Sequence, residues 1–221
     1  MYVTLFKKDL SNYTTTEVHQ QIIDGVPVAV SGPTNAGKGT VKGAEFGYSQ
    51  FFDFLPGALK GLGIQANYTF LQSSKVYNTT SCDPNHGNGS CAADDVVTNP
   101  GLPMQGLSPH NYNITGMYEY GDWSARLAWS WRSRYLITPV DSGDTYLPMW
   151  NASSGQLDGS VFYHINKNMQ VGLQVNNLTN TVQRVLMGPT TYLNGYVDTN
   201  LYTRALFMTD RRYELVFRAS F

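Results

Sequence analysis

With 221 residues, the chain is long enough for one sizeable domain or two small ones. Charged residues make up 14% and aromatics 13%, with 15 tyrosines and 21 glycines, a balance that disfavours both a disordered tail and an ordinary soluble enzyme. A net charge of −1 and a pI near 6.4 leave no broad basic field for nucleic acid. No apolar run approaches the ~20 residues of a spanning helix, yet a mean hydropathy of −0.28 suits a wall of strands that alternate polar and apolar positions.

In chain order, Met1 to Lys8 shows no basic-then-apolar leader and no small-residue cleavage site. Tyr2 to Leu10 reads instead as the end of a strand, so the chain is expected to be a mature or truncated piece. Met1 to Leu10 and Tyr13 to Ile23 are two strand candidates about a polar turn at Asp9-Leu10-Ser11-Asn12. Asp24 to Gly39, rich in Gly, Pro and Asn, reads as a loop. Thr40 to Phe54 is a long strand with Ala44, Phe46 and Tyr48 opposing Gly43, Glu45 and Gly47. Leu55 to Gly61 is a compact turn with room for one helical turn, and Leu62 to Leu71 sets Ile64, Ala66, Tyr68 and Phe70 against Gln65, Asn67 and Thr69.

Gln72 to Pro109 is a long polar stretch. Asn111 to Tyr120 then turns at Gly121-Asp122 into Trp123 to Tyr135, where Trp123, Leu127, Trp129, Trp131 and Tyr135 share a face against Arg126, Arg132 and Arg134. A second loop, Leu136 to Met149, precedes a strand with Leu157, Val161, Tyr163 and Ile165 opposing Asp158, Ser160, Phe162 and His164. Asn166-Lys167-Asn168 turns it into Met169 to Asn176. A third long excursion from Asn177 to about Asp210 leads to the last strand, Arg211 to Phe221, which puts Tyr213, Leu215, Phe217 and Phe221 on one face and Arg212, Glu214 and Arg218 on the other. Short turns alternate with long loops, as in outer-membrane barrels. About nine strands result; an odd number implies an incomplete wall.

Val41-Lys42-Gly43-Ala44-Glu45, Asn67-Tyr68-Thr69, Leu107 to Asn113, Val175-Asn176-Asn177-Leu178-Thr179-Asn180 and the terminal Arg211 to Phe221 together resemble the carboxy-terminal half of a TonB-dependent outer-membrane receptor. The run Phe51 to Gly61 resembles a subset of these receptors in bacteria that scavenge plant and algal glycans. The resemblance covers essentially residues 1–221. It implies an all-β fold, an antiparallel transmembrane β-barrel wall belonging to a barrel of about 22 strands filled by an amino-terminal plug. It further implies a Gram-negative outer-membrane location, contact with membrane lipid, and coupling to the TonB complex through a plug that this sequence lacks.

Several motifs compete with that reading. Gly32-Pro33-Thr34-Asn35-Ala36-Gly37-Lys38-Gly39 nearly spells a phosphate loop, but Gly39 replaces the Ser or Thr that holds magnesium and a strand follows, so an extracellular loop is the better reading. Cys82 and Cys91 lie in the long polar loop, where an oxidising exterior favours a local disulfide. His86 and Asp83 beside them lack the paired spacing of a structural metal site, so no metal is expected. The Trp ladder shares its face with Leu127, which favours lipid contact over sugar stacking, and the three arginines face the lumen. The Asn-x-Ser/Thr triplets, from Asn12 to Asn177, fall partly within expected strands and read as composition.

No catalytic constellation appears: His19, His86, His110 and His164 are scattered, and neither enzyme activity nor a cofactor is expected. Loop residues Tyr77, Asp141, Asp144, Tyr146, Trp150, Tyr192, Tyr196 and Asp198 are the ligand candidates, because aromatic faces stack on sugar rings and carboxylates accept hydroxyl hydrogen bonds. The expected function is TonB-dependent uptake of an oligosaccharide or similar scarce solute. A siderophore or iron-complex receptor, a passive porin-like barrel and a soluble β-sandwich are the alternatives.

Overall fold

The structure, a computed structural model, describes residues 1–76, 81–82, 96–97, 101–139, 147–191 and 197–220. In chain order the strands are β1 (Tyr2–Ile23), β2 (Val26–Phe51), β3 (Leu62–Ser73), β4 (Lys75–Val76), β5 (Ser81–Cys82), β6 (Val96–Val97), β7 (Leu102–Pro103), β8 (His110–Tyr120) and β9 (Trp123–Arg132). There follow β10 (Tyr135–Thr138), β11 (Met149–Asn151), β12 (Ser154–Asn166), β13 (Met169–Asn176), β14 (Val182–Met187), β15 (Thr190–Thr191), β16 (Val197–Asp198), β17 (Tyr202–Met208) and β18 (Arg212–Ala219). The wall is an eight-stranded antiparallel sheet ordered β1-β2-β3-β8-β9-β12-β13-β18. Among the described residues no helix is long and apolar enough to cross a membrane, which says nothing of a β-barrel.

Register explains why alternation in sequence becomes two faces in space. Residues directly opposite one another share a face, and every second residue joins them. Tyr120, Trp123, Tyr163, Val171 and Phe217 form one row. Two residues up the strands come Tyr118, Ala125, Val161, Leu173 and Leu215, and then Gly116, Leu127, Gly159, Val175 and Tyr213. Higher still are Tyr48, Ala66, Ile114, Trp129 and Leu157, and then Phe46, Tyr68, Tyr112 and Trp131. This whole surface is uncovered by protein: Leu127 is 50% and Leu215 84% exposed. An apolar field of that extent marks a surface made for something other than water, and each large side chain gains roughly 1.5–3 kcal/mol on transfer to lipid.

Rings bracket the field at both ends. Trp123 and Tyr163 meet at 4.9 Å at the short-turn end, and Tyr112 stacks on Trp131 at 5.1 Å at the other. Eight residue steps separate Trp123 from Trp131, roughly 27 Å along a strand, and tilt brings that close to the ~25 Å apolar band of outer-membrane barrels.

The opposite face carries the polar set. One of its rows runs Met117, Arg126, Ser160, Gln174 and Glu214. Its few aromatics lie flat on the wall, because each faces a glycine across the sheet: Tyr2 on Gly47, Phe6 on Gly43, Phe51 on Gly63 and Phe162 on Gly172. A Cβ at Gly172 would sit 2.1 Å from Cδ1 of Phe162, so the ring lies in the space that a side chain would need.

Eight strands form the wall rather than nine, since Met1 to Leu10 and Tyr13 to Ile23 are one continuous strand. The polar turn expected at residues 9–12 is a β-bulge: Asn12 takes φ +56° and is skipped as Ser11 faces Lys38 and Tyr13 faces Gly37. The loop expected over residues 24–39 is also corrected. Only Asp24 and Gly25 turn, with φ +54° and +80° as a two-residue hairpin demands, and β2 then runs 26 residues back along β1. The phosphate-loop look-alike, residues 32–39, is therefore extended strand with no helix after Lys38. The compact turn after β2 is a short 3₁₀ segment at Gly57–Gly61, as its Pro-Gly composition suggests.

The third excursion is likewise largely structured. A four-stranded sheet, β10-β11-β14-β17, repeats the order of β9-β12-β13-β18 beneath it, because each of those strands resumes after a short break. Buried apolar residues, few in number, gather near this level: Leu102, Met104, Leu136, Ala152 and Val185. Among the described residues, Val41 on β2 is a further buried apolar side chain.

Candidate functional site

The breaks between the two sheets are held by side chains standing in for ladder hydrogen bonds. Asn177, 1% exposed and at φ +56°, is the hub. Its backbone N–H donates to Oδ1 of Asp158 at 2.8 Å, its Oδ1 accepts from the Thr181 N–H at 2.8 Å, and its Nδ2 donates to the Thr209 carbonyl. One asparagine thereby ties β12, the β13–β14 connection and the β17–β18 connection together. Asn tolerates the left-handed region better than other non-glycine residues, which is why this residue type suits the position.

At the β9 break, the Ser133 N–H donates to the His110 carbonyl at 2.9 Å and the Arg134 N–H to Oγ of Ser153 at 3.0 Å. Arg132, on the polar face, donates from Nε to Oγ of Ser108 at 2.5 Å and from Nη2 to the Gly106 carbonyl. Its guanidinium lies 3.7 Å from the centre of the Tyr135 ring. Residues 104–109 are thereby strapped across the rim, with Ser108 and Leu136 almost fully buried beneath. Tyr135, grouped with the lipid-facing ladder by its spacing, lies past the break and covers Arg132 instead.

Beside that strap opens a cleft of about 430 Å³ lined by Phe70, Leu71, Pro103, Leu107, Pro109, Arg134, Tyr135 and Trp150. Trp150 sits on β11, paired with Leu136 and Leu186, and its indole N–H donates to the Gly188 carbonyl at 2.6 Å. Arg134 stands over its ring at 5.3 Å. With the indole's polar edge satisfied, the cleft offers ring faces, one guanidinium and, at its β3 side, Gln72 and Ser73. That set suits a flat ligand carrying negative charge, through stacking and charge-assisted hydrogen bonds.

On the polar face below, recesses of about 310 Å³ and 270 Å³ are lined by Asn111, Arg132, Gln156 and Thr181 and by Arg126, Asp158 and Gln174. The polar face below the rim is thus a wettable surface. Further up β1, the Asp9 carboxyl is held below its ordinary value, first by the Thr40 hydroxyl donating at 2.8 Å and then by Lys7 at 3.2 Å.

Of the ligand candidates named from sequence, Trp150 alone falls where its surroundings are described, and it lines the cleft. Tyr77, Asp141, Asp144, Tyr146, Tyr192 and Tyr196 lie outside the described residues, as does Cys91. Asp198 and Cys82 are described in backbone only, Asp198 facing Thr190 and Cys82 facing Val96. Phe70, Pro103, Leu107 and Pro109 went unnamed as candidates, because sequence periodicity carries no trace of Leu102 to Pro109 returning to the rim of β3. Among the described residues, no group of three or more His, Cys, Asp or Glu side chains could hold a metal ion.

The sequence matches the family described as TonB dependent receptor-like, beta-barrel over residues 1–178, and the chain belongs to that family. Two solved structures share its fold. The siderophore receptor PiuA from Acinetobacter baumannii aligns with 98% of this chain at 18% identity and a TM-score of 0.56, covering 25% of its own length. A G324V mutant of the ferric enterobactin receptor PfeA from Pseudomonas aeruginosa aligns with 99% at 17% identity and a TM-score of 0.55, covering 28%. The chain thus spans about a quarter of the length of those receptors. None of the curated proteins matches the sequence significantly.

Proposed function

We propose that this chain is a barrel-wall segment, over residues 1–221, of a TonB-dependent transporter in a Gram-negative outer membrane, and that the ligand taken up is an iron–siderophore complex. Family membership supports transport over catalysis. The observation that carries the ligand reading is the rim cleft, where Arg134 stands over Trp150 beside Tyr135. Ferric chelates of this kind present flat, electron-rich, anionic surfaces, which a guanidinium among rings accommodates. An oligosaccharide, the first expectation from the sequence, is neutral and takes only uncharged hydrogen bonds from Arg134, whereas an anionic chelate gains the stronger charge-assisted ones; both solved relatives are named for siderophores, which also favours the iron complex.

In this reading the wall supplies one side of the ligand vestibule, and the polar face lines the route beneath it. The TonB complex acts through a plug, and the disulfide between Cys82 and Cys91 stiffens a loop above the rim. The test uses the full-length protein that carries this chain, in detergent, with Trp fluorescence as the readout. A ferric catecholate is expected to quench it, and Arg134→Ala with Trp150→Phe to weaken binding on the order of tenfold, as for loss of one charge-assisted contact. Quenching by oligosaccharides and not by iron chelates would return the carbohydrate reading.

A further inference from the structure

The outer face changes character within one row. Leu5, Ala44 and Phe70 form the last apolar row of the lipid-facing field above the aromatic belt. The next row up is Lys7, Lys42 and Gln72. Lys7 and Lys42 stand directly opposite each other, an arrangement that is destabilising for like charges unless an anion lies between or beside them. Around them is a recess of about 320 Å³ lined by Lys7, Thr40, Lys42, Gln72, Ser73 and Ser74.

Asp9 occupies part of this charge. It takes Lys7 at 3.2 Å and the Thr40 hydroxyl at 2.8 Å, so its position holds the Lys7 ammonium against the strand pair. Among the described residues no carboxylate is paired with Lys42. The Ser74 hydroxyl accepts from the Thr40 N–H at 3.0 Å and keeps its own proton to donate. The recess therefore gathers ammonium and hydroxyl donors on the outward surface, at the height where the apolar field stops.

We propose that this recess binds the phosphate of a membrane-lipid headgroup in the leaflet facing the long loops. Lys42 and Lys7 supply the charge and the serine hydroxyls the neutral donors, while the lipid's chains lie on the apolar rows beneath. The geometry selects a lipid over free phosphate, because the ligand's hydrophobic part has its own surface two residues away, at Leu5, Ala44 and Phe70. The proposal rests on the membrane reading of the wall; the recess borders the rim cleft, with Gln72 and Ser73 lining both.

The test uses the full-length protein in neutral detergent micelles doped with diphosphoryl lipid A, the same lipid with its phosphates removed, or inorganic phosphate, with bound lipid read by native mass spectrometry. Insertion into micelles is followed separately by heat-modifiable gel mobility, so that failure of the membrane reading shows as failed insertion of the unaltered protein. Lys7→Gln with Lys42→Gln is expected to insert normally and to bind the phosphorylated lipid on the order of 10- to 30-fold more weakly, whereas Lys38→Gln, outside the recess, leaves binding unchanged. Asp9→Asn is expected to tighten binding a few-fold by freeing Lys7, an effect of opposite sign that a merely structural role would not produce. Equal binding by the double variant, equal binding of the dephosphorylated lipid, or inorganic phosphate binding as tightly as the lipid would overturn the proposal. If the double variant fails to insert, Asp9→Asn and the salt dependence of the unaltered protein decide it: binding that neither changes with Asp9→Asn nor weakens with salt also overturns it.

Discussion

The wall below the rim and the sheet above it use the same strand order but opposite ways of handling polar groups. In the wall, polarity is sorted by face: Leu127 looks out where its neighbours Arg126 and Ala128 look in, and the strands are held by their ladder hydrogen bonds. Above the breaks, polar groups are buried and individually satisfied, as Asn177, Ser108 and Asn151 are. A membrane enforces sorting, since lipid offers no hydrogen bonds to an outward polar group. Water imposes no such rule, so the upper sheet is free to fix its strands by local polar joints and to leave apolar rings open in the cleft.

The first way to break the comparison is to put a charge on each face of the wall at the same height. Leu127→Arg, at the middle of the apolar band, is expected to destabilise the inserted barrel by about 2–4 kcal/mol, while Ala128→Arg, facing Asp158 across the polar side, stays within ~0.5 kcal/mol. Urea unfolding from lipid vesicles measures both. Equal effects at the two positions would mean that the face assignment, and with it the membrane reading, is wrong.

The second removes the joint rather than the sorting. Asn177→Ala leaves the Thr181 N–H and Thr209 carbonyl without their partner and puts a Cβ-only residue in the left-handed region, costing about 2–3 kcal/mol. The loss should be confined to the upper sheet. Hydrogen exchange is expected to quicken in β14 and β17 and to stay slow in β9, β12 and β13; uniform acceleration would show that the two levels form one cooperative unit.

The same contrast accounts for what could be read from the sequence. Alternation of period two made β3, β8, β9, β12, β13 and β18 legible to within two or three residues, because a sorted wall writes its faces directly into the chain. Of the upper level, β14 and β17 were hidden inside an apparent loop. Their strands are short, their neighbours are set by Asn177 and Ala152, and nothing periodic announces a joint. The β1–β2 hairpin was missed for a different reason. Gly32, Pro33, Asn35 and Gly37 look like breakers, yet the Asp24-Gly25 pair between Ile23 and Val26 was the hairpin's own signal. At the cleft, Trp150 is legible as a ligand candidate, though as a loop residue and not on a strand, whereas spacing alone groups Arg134 with the lumen charges, since only the break at Ser133 turns it toward Trp150.

A finer test concerns the flat rings of the polar face. Gly172→Ala places a Cβ against Phe162, whose ring must then leave its low-energy position, at a cost of roughly 0.5–1.5 kcal/mol. Because the ring can swing into the open polar side, the barrel should still insert, with the change visible as a smaller shift in unfolding midpoint than for Asn177→Ala. Pairing it with Phe162→Ala should recover most of the loss; without recovery, the glycine matters for backbone reasons and not for the ring.

The smallest expected effect lies at the foot of the hairpin, beyond the apolar band. Asp9 has a carboxyl pKa below the ordinary 3.8, so its contacts with Thr40 and Lys7 favour the folded hairpin above that value and are lost as pH falls through the lower, folded-state pKa. At pH 5–8 the contribution is complete and flat. Both partners are exposed, so the change should be slight, and it should vanish in Asp9→Asn. Hydrogen exchange of the Asp9–Thr40 pair from pH 5 to below 3 measures it against Tyr68–Tyr112 in the band. If the band pair loosens over the same range, the titrating group is elsewhere, and the wall and its hairpin answer to acid together.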